Sequence, residues 1–272
     1  IEQFHMDIAS SIQKVIEKVL IKIVKSLRSE FKIQNLCLAG GVALNSVANG
    51  KIADKKIFKN LWVQPASGDA GGSLGSALAY WYNEKNNERS NIEEDTMQGS
   101  YLGCEYKHEY ILNFFNSNNI VFKELDENEI LHKTAKDLAN GLAIGWFQGK
   151  MEFGPRALGN RSILADPTSE KMQSKLNLKI KYRESFRPFA PSILEEFYDE
   201  WFEMDKKSPY MMYVHNIKDS KKLKVSDINK KLFGIDLLNI KRSLVPAITH
   251  VDYTARVQTV SKNINYKFYN LI

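Results

Sequence analysis

The chain has 272 residues, 43% apolar and 26% charged, with a net charge of +6. This is globular composition, with room for one large domain or two modest ones. The positive balance favours anionic partners without choosing among nucleotides, phosphorylated substrates and nucleic acid. Two cysteines, Cys37 and Cys104, form no CxxC pair, which argues against a disulfide framework or a thiolate metal site and for a reducing cytoplasm. Both stand among apolar residues and are expected as small core fillers. The longest uncharged stretch, 33–50, carries three glycines, three asparagines and a glutamine, too many polar groups for a membrane span. The start "IEQFHMD" has no basic-then-apolar leader pattern, and "NINYKFYNLI" stops inside an apolar pattern without a cap. A fragment of a longer protein is expected.

In chain order, Ile8, Ile12, Val15, Ile16, Val19, Leu20, Ile23 and Leu27 recur at steps of three and four, which predicts a long helix with one apolar face over 7–28. "NLCLA" (35–39) reads as a short buried strand running into Gly40-Gly41 and a helix-like "VALNSVANGKI". "LWVQP" (61–65) runs in the same way into "ASGDAGG" and the helix "SLGSALAYWYNE". Strand, glycine turn and helix occur twice, the mark of an α/β layer with ligand positions at the carboxyl ends of its strands. Residues 85–100 are almost wholly polar and read as a linker. Beyond it, "HEYILNFFNSNN" and "ENEILHKTAKDLANG" are helical patterns, the second stopped by Gly141, whereas "IVFKEL" and "LAIGWFQG" read as strands. "ILEEFYDEWF" reads as a helix, the lysine-rich 216–243 as a solvated excursion, and "PAITHVDYTARVQTV" as a strand-like run.

Two glycine turns carry chemistry. In "LAGGVALN", paired glycines allow flat contact with a nucleoside, and the following helix offers free N–H groups to phosphate. A plain tight turn explains the same residues, and neither the P-loop nor the Rossmann spacing is present. In "PASGDAGGSLGSAL", Asp69 is a lone carboxylate that either binds a cation beside a nucleotide or caps the following helix.

The run "EFGPRALGNRS" sets Arg156 and Arg161 five residues apart, each beside a glycine, in a proline-stiffened stretch. Arginine presents a fixed fork of donors suited to phosphate or carboxylate oxygens. Arg187 lies in "FRPFAPSIL" and Arg256 in "THVDYTARV". Convergence of such cations without matching acids suits one compact dianion, while an internal Asp252–Arg256 pair is the bland alternative. Lys171, Lys175 and Lys179 step by four and are assigned to an exposed helix face. Arg161 is assigned to structure, with Asp166 as its partner.

These stretches in this order resemble the O-carbamoyltransferases of antibiotic and nodulation-factor biosynthesis, over roughly residues 1–270. The resemblance implies the second half of an actin/hexokinase-like (ribonuclease-H-like) ATPase domain over 1–84, a linker over 85–100, and an incomplete YrdC-like α/β domain over 101–272. It implies an enzyme that uses ATP and carbamoyl phosphate to form carbamoyl adenylate, then carbamoylates a hydroxyl of a small sugar or natural-product acceptor. Arg156, Lys181, Arg187 and Arg256 match the family's carbamoyl phosphate cations. Gly40, Gly41 and Asn45 match its nucleotide turn, and Asp69 matches a ligand of its divalent metal, iron among the candidates. Lacking the family's first half-domain and its histidine ligands, this stretch alone is expected to be inactive, to bind nucleotide poorly and to hold no metal tightly. A tRNA-binding relative from threonylcarbamoylation, or an inactive remnant, is the alternative. Against nucleic acid as a partner, the lysines lack an interleaved aromatic platform.

Overall fold

The computed structural model describes residues 1–89, 95–226 and 232–272. The middle of the linker and part of the lysine-rich run therefore lie outside the described residues. The order is α1 (Gln3–Phe31), β1 (Asn35–Leu38), α2 (Ser46–Asp54), β2 (Asn60–Val63), α3 (Asp69–Ala79), α4 (His108–Ser117), α5 (Glu127–Ala139), β3 (Ile144–Phe147), β4 (Arg161–Leu164), α6 (Met172–Lys179), β5 (Ser192–Leu194), α7 (Tyr198–Trp201), β6 (His215–Asn216), β7 (Thr254–Ala255), β8 (Gln258–Val260) and α8 (Tyr266–Leu271). Among the described residues, no helix is long and apolar enough to cross a membrane.

The chain is mixed α/β, with strands paired two by two. β1 and β2 are parallel, with Asn35 opposite Asn60 and Leu38 opposite Val63. β5 and β8 are also parallel, whereas β3–β4 and β6–β7 are antiparallel. Among the described residues no sheet joins the first 89 residues to the rest, yet the packing does. One apolar cluster contains Ala43 and Val63 from the first region with Met97, Leu158, Tyr210, Met211 and Met212 from the second. The buried Asn49 of α2 donates to Met212 O at 3.0 Å, Val214 N donates to Ser46 O, and Tyr213 Oη donates to Leu61 O. A Cβ on Gly50 would lie 2.7 Å from Val214 O, so only glycine lets the 210–214 segment seat on α2.

Several sequence expectations are corrected. The apolar pattern of α1 is wider than its contact: Ile16, Leu20, Val24 and Leu27 turn inward, while Ile8, Ile12, Val15, Val19 and Ile23 stay exposed. β1 is half-buried in alternation, and Cys37 falls on its open face. Cys104 is also exposed, in the irregular run after Tyr101. "IVFKEL" forms no strand, because it finds no partner edge and Val121 is almost fully exposed. "ILEEFYDEWF" splits into the end of β5 and the single turn of α7, since pairing with β8 takes Ile193 and Leu194. "PAITHVDYTARVQTV" is a set of turns followed by two short strands, β7 and β8, rather than one run. Lys175 is not given over to solvent, because its ammonium donates to Gly141 O at 2.8 Å.

His215, on β6, is mostly buried and its Nε2 has no partner. Burial pushes its pKa down to about 4, against a weaker opposing pull from Asp205. A group whose folded pKa lies below its unfolded value stays neutral in the folded protein while the unfolded chain takes up a proton. Stability should therefore fall as pH drops from about 6.5 towards 4, by about 2–3 kcal/mol at most. In His215→Leu the loss measured by urea unfolding over that window should shrink. A pH profile identical to the parent's would show that another group drives it.

Candidate anion-binding site

The two glycine turns stand side by side where β1 and β2 end. Gly40 has φ +98°, a conformation side chains resist, and its N–H donates to Ser67 O at 2.7 Å. A Cβ on Gly71 would lie 2.1 Å from Ala66 O, so the second turn closes only with glycine there. Space above Gly41 is open. Asn45 is used locally: its Oδ1 accepts from Ala48 N at 3.0 Å, capping α2, and its Nδ2 donates to Gln13 Oε1 at 2.8 Å.

Asp69 is exposed and opens α3, where its charge suits the helix N-terminus. Among the described residues no three His, Cys, Asp or Glu side chains come together as a metal site. One exposed carboxylate supplies a single ligand of the six or more a hard cation takes, so these residues alone do not fit a metal.

The loop 152–161 is organised by its own first residue. Glu152 is buried, and one carboxylate oxygen accepts from the backbone N–H groups of Leu158 (2.7 Å), Asn160 (2.9 Å) and Arg161 (3.2 Å). Sequence reasoning missed this role, though a glutamate beside a glycine-rich run, where freed N–H groups need an acceptor, was a usable signal. Arg161 is structural, but Asp166 is not its partner. Its guanidinium donates to the carbonyls of Gln148 (2.5 Å), Asn160 (2.8 Å) and Gly149 (2.9 Å) and lies 3.5 Å from the centre of the Phe147 ring. Asp166 instead accepts from Thr168.

This loop packs on the second glycine turn, with the Cβ position of Gly154 3.2 Å from Ala66 Cβ. Arg156 then reaches Leu44 O through Nη2 at 2.9 Å, while its Nε is buried without a partner. Burial lowers its pKa. Arg256, between β7 and β8, also has a buried and unpartnered Nε. Burial pushes its pKa down to about 10, and the charges of Arg156 and Arg183 add to the fall. Among the described residues none of these three arginines has an ion-pair partner. Asp252 does not pair with Arg256; it accepts from the backbone and hydroxyl of Thr254. With that hydroxyl proton committed to Asp252, Thr254 Oγ1 accepts from His250 Nδ1 at 2.9 Å, closing the turn before Arg256. Burial lowers the pKa of His250, so the ring serves as a neutral brace.

Of the four expected cations, Arg156 and Arg256 come together. Lys181 is exposed on the 181–187 loop, and Arg187 there is exposed and paired with Glu184 at 2.7 Å. Arg183, which the sequence reading passed over, is the cation of that loop whose charge reaches Arg256. Two clefts, one of about 1290 Å³ walled in part by Trp62, Tyr101 and Gln148 and one of about 1030 Å³ beside His215, include none of the three arginines.

A half-buried, unpaired arginine on a glycine-rich loop and a second between β7 and β8, with glycine turns at the ends of parallel strands, define an α/β protein suited to holding a small anion. Comparison with known proteins gives that class a family. A family profile described as "Carbamoyltransferase C-terminus" matches residues 135–272, just over half of the chain, and "Carbamoyltransferase N-terminus" matches residues 2–78. The chain belongs to the carbamoyltransferase family. It is 50% identical to an uncharacterized protein of Synechocystis, over 99% of this chain and 44% of that protein. It is 38% identical to the nodulation protein NolNO of Sinorhizobium fredii, over 99% of this chain and 37% of the relative. With the nodulation protein NolO of Bradyrhizobium diazoefficiens the identity is 37%, over 99% of this chain and 46% of the relative. The chain spans less than half the length of these relatives.

Proposed function

We propose that this chain supplies the anion-gripping part of an ATP-dependent O-carbamoyltransferase, with carbamoyl phosphate as the anion and a hydroxyl of a small sugar or natural product as the acceptor. Nodulation proteins among its relatives favour an acceptor of that kind. The observation that carries the reading is the Arg156–Arg256 pair, each with a buried Nε lacking any partner and neither matched by an acid. Burying a guanidinium unpaired is costly, and a compact dianion offsets that cost. The arginines would fix the phosphate end and stabilise charge as phosphate departs.

In this reading residues 1–84 are the second half of an ATPase-like domain, with Gly40 and Gly41 on the nucleotide, and 101–272 belong to a YrdC-like domain. Water cleaves carbamoyl phosphate to carbamate and phosphate, and a carbamate oxygen attacks the α-phosphorus of ATP and expels pyrophosphate to give carbamoyl adenylate. The acceptor oxygen then gives up its proton and takes the carbamoyl carbon as AMP leaves. Lys181 and Arg187 join the grip if the 181–187 loop closes on the anion. Asp69 contributes to a metal site only together with ligands from outside this stretch, and no step here is routed through a metal.

The test uses the full-length protein without acceptor, following pyrophosphate release from ATP. Release that depends on carbamoyl phosphate is expected. Release that is indifferent to carbamoyl phosphate, or tight salt-dependent binding of tRNA in its place, would overturn the reading.

A further inference from the structure

We propose that Arg183, aimed by the buried amide of Asn177, is a further anion-binding group of this site and sets its preference for a phosphate-bearing ligand. The inference rests on the anion reading above.

Asn177 is completely buried in the last turn of α6. Its Nδ2 donates to Arg187 O at 2.8 Å and to Ser185 O at 3.1 Å, which fixes which way the amide faces. The Oδ1 is thereby presented to Arg183 and accepts from its Nε at 2.7 Å. The main chain repeats the tie, since Arg183 N donates to Asn177 O at 2.9 Å. One amide thus holds the backbone at 185–187 and one guanidinium edge together.

The rest of Arg183 is placed by packing. Its Cζ lies 5.2 Å from the centre of the Phe189 ring. Phe189 in turn packs on the apolar cluster containing Ala255 and Val257, the two neighbours of Arg256. Because Nε is taken by Asn177, the outer fork of two Nη groups is the part left for a ligand, the face that meets phosphate oxygens two at a time. Arg187 has its charge matched by Glu184, and Lys181 is an exposed flexible ammonium. Arg183 is half-buried and, among the described residues, forms no ion pair, the nearby Glu184 being paired with Arg187. Three like charges brought near one another favour a multiply charged anion over a singly charged one.

The experiment measures, in the full-length protein, KM for carbamoyl phosphate and competitive inhibition by inorganic phosphate. Arg183→Gln should weaken phosphate inhibition roughly ten- to hundredfold, as expected for losing a charge-assisted contact. KM should rise by a larger factor than kcat falls, and Arg183→Lys should recover part of the loss. Asn177→Ser should weaken phosphate in the parent yet add little to Arg183→Gln, as a residue acting through Arg183 must. If Asn177→Ser does not fold, the Arg183 variants carry the test alone. Lowered melting temperature with unchanged phosphate inhibition in Arg183→Gln would make Arg183 structural and overturn the proposal. Arg156→Ala separates the two levels. If it weakens phosphate while Arg183→Gln does not, only this inference falls; if neither matters, the anion reading falls as well.

Discussion

Replacing Arg156 with alanine in the full-length protein should slow carbamoyl adenylate formation about a hundredfold or more, the usual cost of losing one preorganised donor. Transfer from supplied carbamoyl adenylate should survive, since in the proposed function that step belongs to the other domain. The expectation rests on where the guanidinium sits: half-buried, anchored at one corner to Leu44 O, and carrying a buried Nε with no protein partner. The change also removes one of the two charges that depress the pKa of Arg256, so Arg256 should titrate higher in the variant. Separate assays of pyrophosphate release and of acceptor carbamoylation check the split. Intact adenylate formation with abolished transfer would move the anion to another place.

The largest stability loss should come from Glu152→Ala. Three backbone N–H groups converge on one of its carboxylate oxygens, and Leu158 and Asn160 are themselves buried. Alanine leaves those donors with nothing to meet, at a cost of about 3–5 kcal/mol and roughly a 10 °C drop in Tm. Glu152→Gln keeps an acceptor oxygen and should lose far less. Circular-dichroism melts of both variants decide it: equal losses would mean that volume rather than hydrogen bonding holds the loop.

What the sequence made legible is local. The order of strand, glycine turn and helix occurs twice as the pattern indicates, although α3 begins at Asp69 within the stretch read as a turn and the first helix is interrupted at Asn45. The helices after Lys107 and Asp126 were legible from their sequence patterns and, for α5, from the stop at Gly141. Arg156 and Arg256 stood out because arginines beside glycines or within apolar runs need a partner. Arg183 was passed over because its role depends on Asn177 and Phe189, six residues away in each direction, and on a strand some seventy residues further on. The exposed faces of Cys37 and Val121 were hidden for a related reason. An apolar run shows that a residue would tolerate burial, not that anything arrives to bury it.

The 210–214 segment that closes over α2 has a consequence for how the chain acquires its structure. The contact between Asn49 and Met212 spans 163 positions, and the cluster around Ala43 and Val63 is completed by the same segment. On a ribosome adding about 5–20 residues per second, the first region waits roughly six to twenty-five seconds after its own synthesis before the side chains that finish its core emerge. During that interval α2 and the end of β2 present uncovered apolar surface, the kind of surface chaperones bind. Such long-range closure also slows the search for the native arrangement. The two glycine turns, however local their sequence signature, are therefore among the last parts of the molecule to become rigid.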